Sequence, residues 1–322
     1  MILPVSETSL ILQEGIMDFR DLTYILAVAD NRSVTEAANK LYISQPSLSY
    51  IISKVEEELG VKLFYRKTNP ITLTYAGQLY VETAREILAK MDNLKRQLTE
   101  VGVGEKGQIS IGIPTERAGY MIPKFIGKFH DAFPDMELKL METRSKEIIS
   151  GIDKGRILLG ILPGREEDYP ANMAYELIYK EKIVMTAPEG MITPEMITGT
   201  DENGIAVVDL KKMKHLPYLI MQQGHYSRKK TDRIFKKAGF VPKNVTEVSS
   251  NMTALSLSAN AGLGITIVPE RAVETFADKD KLKIYRYSEQ QDTWDINAVY
   301  KKDTYLGKAE RALIDIIKET FN

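Results

Sequence analysis

A small all-helical head followed by a larger α/β body is the architecture that the 322-residue sequence predicts. Three observations carry that expectation. The stretch "SVTEAANKLYISQPSLSYIISKVEEELG", residues 33–60, holds two short helical patterns with almost nothing between them. A heptad-like apolar stripe follows over residues 80–101. From residue 107 onward, apolar strand-like runs alternate with amphipathic helical patterns, as in an open α/β sheet.

Composition narrows the function classes. With 43% hydrophobic and 27% charged side chains, the chain can bury a full core and fill two or three ordinary domains. The absence of cysteine excludes a disulfide framework, a cysteine nucleophile and a thiolate zinc site, and His130, His215 and His225 lack ligand spacing. No metal or cofactor is expected, and a reducing cytoplasm is the expected location. No apolar run approaches the length of a bilayer, and "MILPVSETSLILQEG" has neither the basic start nor the clean apolar block of a secretion signal, so no membrane partner is expected. A net charge of -1 argues neither for nor against nucleic acid, so that question rests on local geometry.

In the head, Ser33 followed by Glu36 forms a capping box, and Val34, Ala37, Ala38 and Leu41 fall at helical spacing. After the short turn "LYIS", Ser44 is a good N-cap and Pro46 suits a first helical turn. Leu48, Ile51, Ile52, Val55 and Leu59 form the inner stripe of this second helix, and Gln45, Ser47, Ser49, Tyr50, Ser53 and Lys54 face outward. Gln and Ser at a helix start can read base edges while helix-end amides face phosphate, which makes this a helix-turn-helix. An ordinary helical hairpin with a solvated outer face is the alternative on spacing alone. What tips the balance is "VKLFYRKTNPITLTYAGQ", whose alternation around "NP" predicts a small hairpin with Arg66 and Lys67 placed against the sugar-phosphate backbone, completing a winged helix.

Together, the capped first helix, "SQPSLS" and "EEELGVKLF" closely resemble the DNA-binding segment of LysR-type transcriptional regulators, and with later features the resemblance runs from Met17 to the C-terminus. Two departures concern half-site preference: Tyr50 stands where such proteins usually carry a basic residue, and Ile51 where a polar one is common. The candidate DNA contacts are Ser33, Thr35, Ser44, Gln45, Pro46, Ser47, Ser49, Tyr50, Ser53, Lys54, Arg66 and Lys67. Basic and acidic residues balance between Asp18 and Tyr75, so non-specific affinity per subunit should be low and pairing of subunits important.

The stripe Tyr80, Ala84, Ile87, Met91, Leu94, Leu98 and Val101 alternates spacings of four and three, and nothing in the head is left over to cover it, which predicts an intermolecular coiled coil. The resemblance implies that this linker helix pairs two subunits. "GVGEKG", residues 102–107, formally fits a dinucleotide fingerprint but follows a helix and precedes a strand, the reverse of what that motif needs, and reads as a joint between domains.

The body runs through "QISIGIP", "MIPKFIGKFHDAF", "MELKLMET", "KEIISGIDKG" and "ILLGILP", then "KIVMTAP", "PYLIMQ", "RKKTDRIFKKAGF", "VTEVSS", "ALSLSANAG" and "GITIV". It returns with "LKIYRYS", "TWDINAVYKK" and a final helix through "LGKAERALIDIIKET". This layout resembles the effector half of the same family, a two-lobed α/β domain related to type 2 periplasmic binding proteins, with "AGLGITIVP" as its most specific signature and residues 188–203 as an added loop.

A cleft between such lobes is lined by strand ends and helix starts, whose amides favour a small polar or anionic effector. By position the candidates are Thr115, Glu116 and Arg117; Gln223, His225, Tyr226 and Ser227; and Ser249, Ser250 and Asn251. Bland roles compete: Thr115, Ser227 and Asn251 as helix caps, Glu116 and Arg117 as a surface pair.

Nothing assembles into a catalytic site, so the expectation is not an enzyme but a regulator. The expected domains are an N-terminal extension at 1–16 taken as disordered, a winged helix-turn-helix domain at 17–75, a linker and dimerisation helix with hinge at 76–106, and an effector domain at 107–322. Its first lobe is expected at 107–165 and 268–322 and its second at 166–267, and translation is expected to begin at Met17. Double-stranded DNA carrying an interrupted inverted repeat, a small effector and other copies of the chain, as a homodimer and then a homotetramer, are the expected partners. A stand-alone solute-binding protein of the same lobes, and a regulator answering to a partner protein without a small ligand, are the alternatives.

Overall fold

A computed structural model describes residues 18–66, 68, 70–101, 107–287 and 293–321 of the chain, without the side chains of 96 and 99–101. The extension 1–16, Lys67 among the expected DNA contacts, the Val101 side chain and residues 102–106 of the joint therefore lie outside the described residues. The chain divides into two compact units, Met1–Leu98 and Thr99–Asn322.

The first unit opens with α1 (Phe19–Asn31), capped by Asp18 and burying Leu22, Ile25 and Val28 at helical spacing. Next comes α2 (Val34–Lys40), where the Ser33 hydroxyl accepts from the Glu36 amide at 3.3 Å. A turn with Tyr42 at φ 56° leads to α3 (Gln45–Leu59). Ser44 caps α3 by accepting from the Ser47 amide at 3.2 Å, and Gly60, at φ 67°, ends it in the left-handed conformation that glycine tolerates. Leu48, Ile52 and Val55 are buried as the stripe predicts, joining Ile25, Val28, Ala37 and Ala38 in one core.

The wing is the antiparallel pair β1 (Phe64–Tyr65) and β2 (Thr72–Leu73). Helix α4 (Tyr75–Val101) follows at once, and it starts so close to the wing that any side chain at Gly77 would collide with the Leu63 carbonyl. Here the structure corrects the expected seam. Tyr80 packs against the core of its own unit, Ala84 is buried within the chain, and Arg85 bonds Asp30 of α1 at 2.7 Å. The first turns of α4 are thus consumed locally, because the wing and α1 do leave a surface to be covered. Of the described seam, Ile87 and Met91 are half-buried and Leu94 and Leu98 exposed, so an uncovered stripe begins only at Ile87.

The second unit begins with β3 (Gly107–Pro114), α5 (Thr115–Ala132), β4 (Met136–Thr143), α6 (Ser145–Asp153) and β5 (Leu159–Pro163). The three strands lie parallel with β3 in the middle. Then come β6 (Met173–Pro188), the small hairpin β7 (Ile197–Thr200) and β8 (Ala206–Val208), and β9 (Tyr218–Met221) with α7 (Tyr226–Ala238). The chain continues through β10 (Val245–Val248), α8 (Asn251–Ala261), β11 (Ile265–Pro269), α9 (Glu270–Glu274), β12 (Leu282–Tyr285), β13 (Thr293–Lys301) and α10 (Lys308–Phe321). Strand order is β10-β9-β11-β6-β13-β5-β3-β4, with β12 also on β6.

Strand β6 belongs to both halves of this sheet. Its residues 173–182 pair with β13, which also pairs with β5, whereas 183–188 pair with β11 and β12. This corrects two expected lobe boundaries. The first crossing lies inside β6, not at 165/166, and β12 stays with the second half, so the return comes after Tyr285 and not at 268. Both follow from strand length: 16 residues of extended chain outrun one lobe. Residues 188–203 are likewise more than a loop. Arg286, only 4% exposed, pairs with Asp201 and Glu270 at 3.1 Å each, tying the β7–β8 hairpin to α9.

Candidate functional site

Each unit carries a candidate surface. In the first, the start of α3 presents Gln45, Pro46 and Ser47 to solvent, with Tyr50 71% exposed. The polar side chains are held by one another. Gln45 Nε2 donates to Ser49 Oγ at 2.8 Å, the hydroxyls of Ser44 and Ser47 lie 2.7 Å apart, and Lys54 pairs with Glu58 at 3.5 Å. Thr35 is exposed at the start of α2, and Ser33 is half-buried as its cap.

Arg66, expected to touch the sugar-phosphate backbone, keeps an exposed side chain while also bonding within the chain. Its Nη2 donates to Glu56 Oε2 and to Ser53 Oγ, both at 3.0 Å. Glu56 is buried and accepts as well from Lys62 at 3.0 Å and from the Leu63 and Phe64 amides at 2.9 and 3.3 Å. Burial alone would raise its pKa, but these donors outweigh burial and hold it below the ordinary 4.5. Glu56 is the residue that sequence reasoning missed here, because "KVEEELG" reads as a solvated charge run. It fastens the wing to α3 and aims Arg66 along the helix that carries Gln45.

In the second unit a cavity of about 260 Å³ opens at the ends of β3, β4 and β5 and the starts of α5, α6, α7 and α8. Nine expected residues line it: Thr115, Glu116, Arg117, His225, Tyr226, Ser227, Ser249, Ser250 and Asn251. Gln223 does not; it is exposed in the turn before α7. Thr143, Arg144, Ser145, Pro163 and Trp294 also line the cavity and were missed. The rule that picked the residues after "QISIGIP" would have picked Arg144 and Ser145 after "MELKLMET". Trp294, the chain's single tryptophan, sits on β13, where no such rule applies.

Several lining residues are already committed. Ser250 caps α8 through the Thr253 amide at 3.0 Å. Arg117, 2% exposed, lines the cavity but is no surface partner of Glu116: it forms a buried ion pair with Glu181, donates to the Tyr120 hydroxyl at 2.8 Å and stacks 5.2 Å from the Trp294 ring. Glu181 and Trp294 face each other across β6 and β13, so one guanidinium grips both strands at a single rung. The Tyr226 hydroxyl donates to Asp168 at 3.2 Å, and its ring meets Trp294 edge-on at 5.5 Å. Burial, then Asp168, pushes the Tyr226 phenol up to about 12.

Other groups are left incomplete. His225 Nε2, Asn251 Oδ1 and Trp294 Nε1 are buried with no hydrogen-bond partner among the described residues. Burial, then the charge of Arg144, lowers the His225 pKa from 6.5 and keeps the ring neutral near pH 7. Glu116 accepts from the Asn251 amide at 2.6 Å, so a residue of α5 occupies the start of α8. Burial raises its pKa despite that bond and the nearby Arg117. Among the described residues no cluster of His, Cys, Asp or Glu is arranged to hold a metal ion, and no helix is long and apolar enough to cross a membrane.

Comparison with known proteins matches both units. Residues 19–78 match the family described as "Bacterial regulatory helix-turn-helix protein, lysR family", and residues 102–322 match "LysR substrate binding domain". The chain belongs to the LysR family. Among LysR-type relatives, the HTH-type transcriptional regulator YwbI of Bacillus subtilis is 30% identical over 94% of this chain and 96% of its own length. The dual regulator OxyR of Escherichia coli is 27% identical over 94% of this chain and 95% of its own. A cysteine-substituted full-length OxyR from Pseudomonas aeruginosa shares the fold with a TM-score of 0.69 at 21% identity, covering 94% of each chain. The LysR-type assignment makes this chain a DNA-binding transcriptional regulator with a substrate-binding domain.

Proposed function

We propose that the protein is a cytoplasmic, non-enzymatic regulator that works as paired subunits. Residues 17–75 would read an interrupted inverted repeat through Gln45 to Lys54, 76–106 would join two subunits, and 107–322 would bind a small effector. The observation that carries the effector reading is the trio of orphaned buried atoms on His225, Asn251 and Trp294, since buried polar atoms in folded proteins are normally paired. An occupant of the cavity would supply the missing bonds. The pairing surface would be Ile87, Met91, Leu94 and Leu98, with assembly into a dimer and then a tetramer. Several relatives are hydrogen peroxide-inducible gene activators, such as that of Dickeya chrysanthemi at 28% identity. A cysteine-based response is closed to this chain, whose 322 residues contain no cysteine.

The test is binding of the full chain to DNA upstream of its own gene, against scrambled DNA across a salt series. A preference kept as salt rises is expected. Replacing Gln45 and Ser47 with alanine should weaken specific binding about ten- to a hundredfold and leave scrambled DNA nearly unaffected. Equal losses on both DNAs would remove α3 as the reading helix.

A further inference from the structure

The charges around the cavity specify more than a polar ligand. This inference rests on the effector reading above and deepens it. Arg117 is a wall residue whose charge is cancelled by Glu181. Two opposite charges on the lining are left over: Glu116 and the exposed Arg144 at the N-cap of α6, neither of which joins a salt bridge among the described residues. A simple anion would meet the carboxylate of Glu116, and a simple cation would meet Arg144.

Hydrogen-bonding groups divide the same way. Glu116 and Asn251 are joined through the Asn251 amide, and Asn251 Oδ1, on a residue 2% exposed, is an acceptor with nothing to accept. Carboxylate and amide oxygen thus stand together and call for a group that only donates. Arg144 and the starts of α6 and α7 call for one that only accepts, and the buried Trp294 Nε1–H, without a partner among the described residues, adds a donor. A space of about 260 Å³ suits one small molecule carrying both groups. We propose that the cleft selects a small zwitterion of the α-amino acid class, its ammonium held by Glu116 and Asn251 Oδ1 and its carboxylate by Arg144 and the helix-start amides.

The experiment uses the full chain, thermal shift and calorimetric titration. The probes are the twenty protein L-amino acids, each beside its deaminated acid and its decarboxylated amine. At least one amino acid should raise the melting temperature, with both counterparts bound about tenfold more weakly or worse, the usual penalty for an unpaired charged hydrogen bond. Glu116→Gln keeps an oxygen for the Asn251 amide and should still melt cooperatively. It should lose about tenfold for the amino acid and gain affinity for the deaminated acid, a reversal that mere loosening of the cleft would not produce. If a deaminated acid binds the unmodified chain as well as its amino acid does, the zwitterion proposal is overturned while the effector reading stands. If none of the twenty binds, the proposal is likewise overturned, and the effector reading is then judged by whether the deaminated acids or the amines alter DNA binding.

Discussion

Glu56 in the head and Glu116 in the body are both carboxylates drawn partly or wholly out of water, yet their surroundings push them in opposite directions. Glu56 receives two cations and two backbone amides, and its pKa falls below 4.5; among the described residues Glu116 receives one amide and no salt bridge, and its pKa rises above 4.5. Satisfied on all sides, Glu56 is finished when the chain folds and has a structural task. Glu116, beside orphaned atoms, is the carboxylate proposed above to hold a ligand. For these two carboxylates, degree of satisfaction, more than burial, marks the difference.

The comparison is tested hardest at Arg117, which lines the cavity yet is satisfied. If it is architectural, Arg117→Ala should cost about 3–5 kcal/mol in urea unfolding, since it strands the buried charge of Glu181. Replacing both partners by methionine should recover most of that loss. A stable Arg117→Ala chain with impaired ligand binding would break the distinction. Next in size, Glu56→Ala should cost about 2–4 kcal/mol, because the Leu63 and Phe64 amides lose their acceptor, whereas Glu116→Gln should stay within about 1 kcal/mol. Leu94 and Leu98, 46% and 60% exposed, are unfinished in an apolar sense. Replacing both with lysine should weaken self-association on the order of a hundredfold by sedimentation equilibrium and leave monomer stability nearly unchanged.

The smallest effect is a difference in pH dependence. The lowered pKa of Glu56 gives stability that is present above its unfolded value near 4.5 and lost as pH falls through the folded value. The raised pKa of Glu116 gives stability that is complete below its unfolded value and lost as pH rises through the folded one. Melts of the two single variants between about pH 3 and 7 should therefore flatten opposite limbs of the profile. The same limb flattened in both would mean that the two carboxylates share one environment.

Much of this was legible in the sequence because it depends on short-range rules. Ser33, Ser44 and Gly60 announce the ends of α2 and α3 by capping chemistry, and the strand-then-helix alternation placed nine cleft residues at strand ends or helix starts. What escaped depends on contacts distant in sequence. "YKEKIV" reads as a charged alternation, and nothing local shows that Glu181 is sealed in by an arginine 64 positions earlier. The first half of β6, the anchoring of the β7–β8 hairpin by Arg286 and the covering of Tyr80 and Ala84 are also tertiary decisions. Gln223 failed for a different reason: the turn through Gly224, at φ 89°, carries the chain on to His225 and leaves Gln223 in solvent.

The rung at Glu181 and Trp294 has a mechanical consequence. Strand β6 runs through both halves of the second unit, β13 pairs along its first part, and Arg117 clamps the two strands at the rung whose Trp294 lines the cavity. A molecule in that cavity would rest against this rung, beside the one strand that the two halves share. Such a ligand would work less like a hand pulling a door shut than like a shim beside the hinge pin, setting the angle at which the door can rest. Its size at this rung, more than its reach beyond it, should then determine the size of the response.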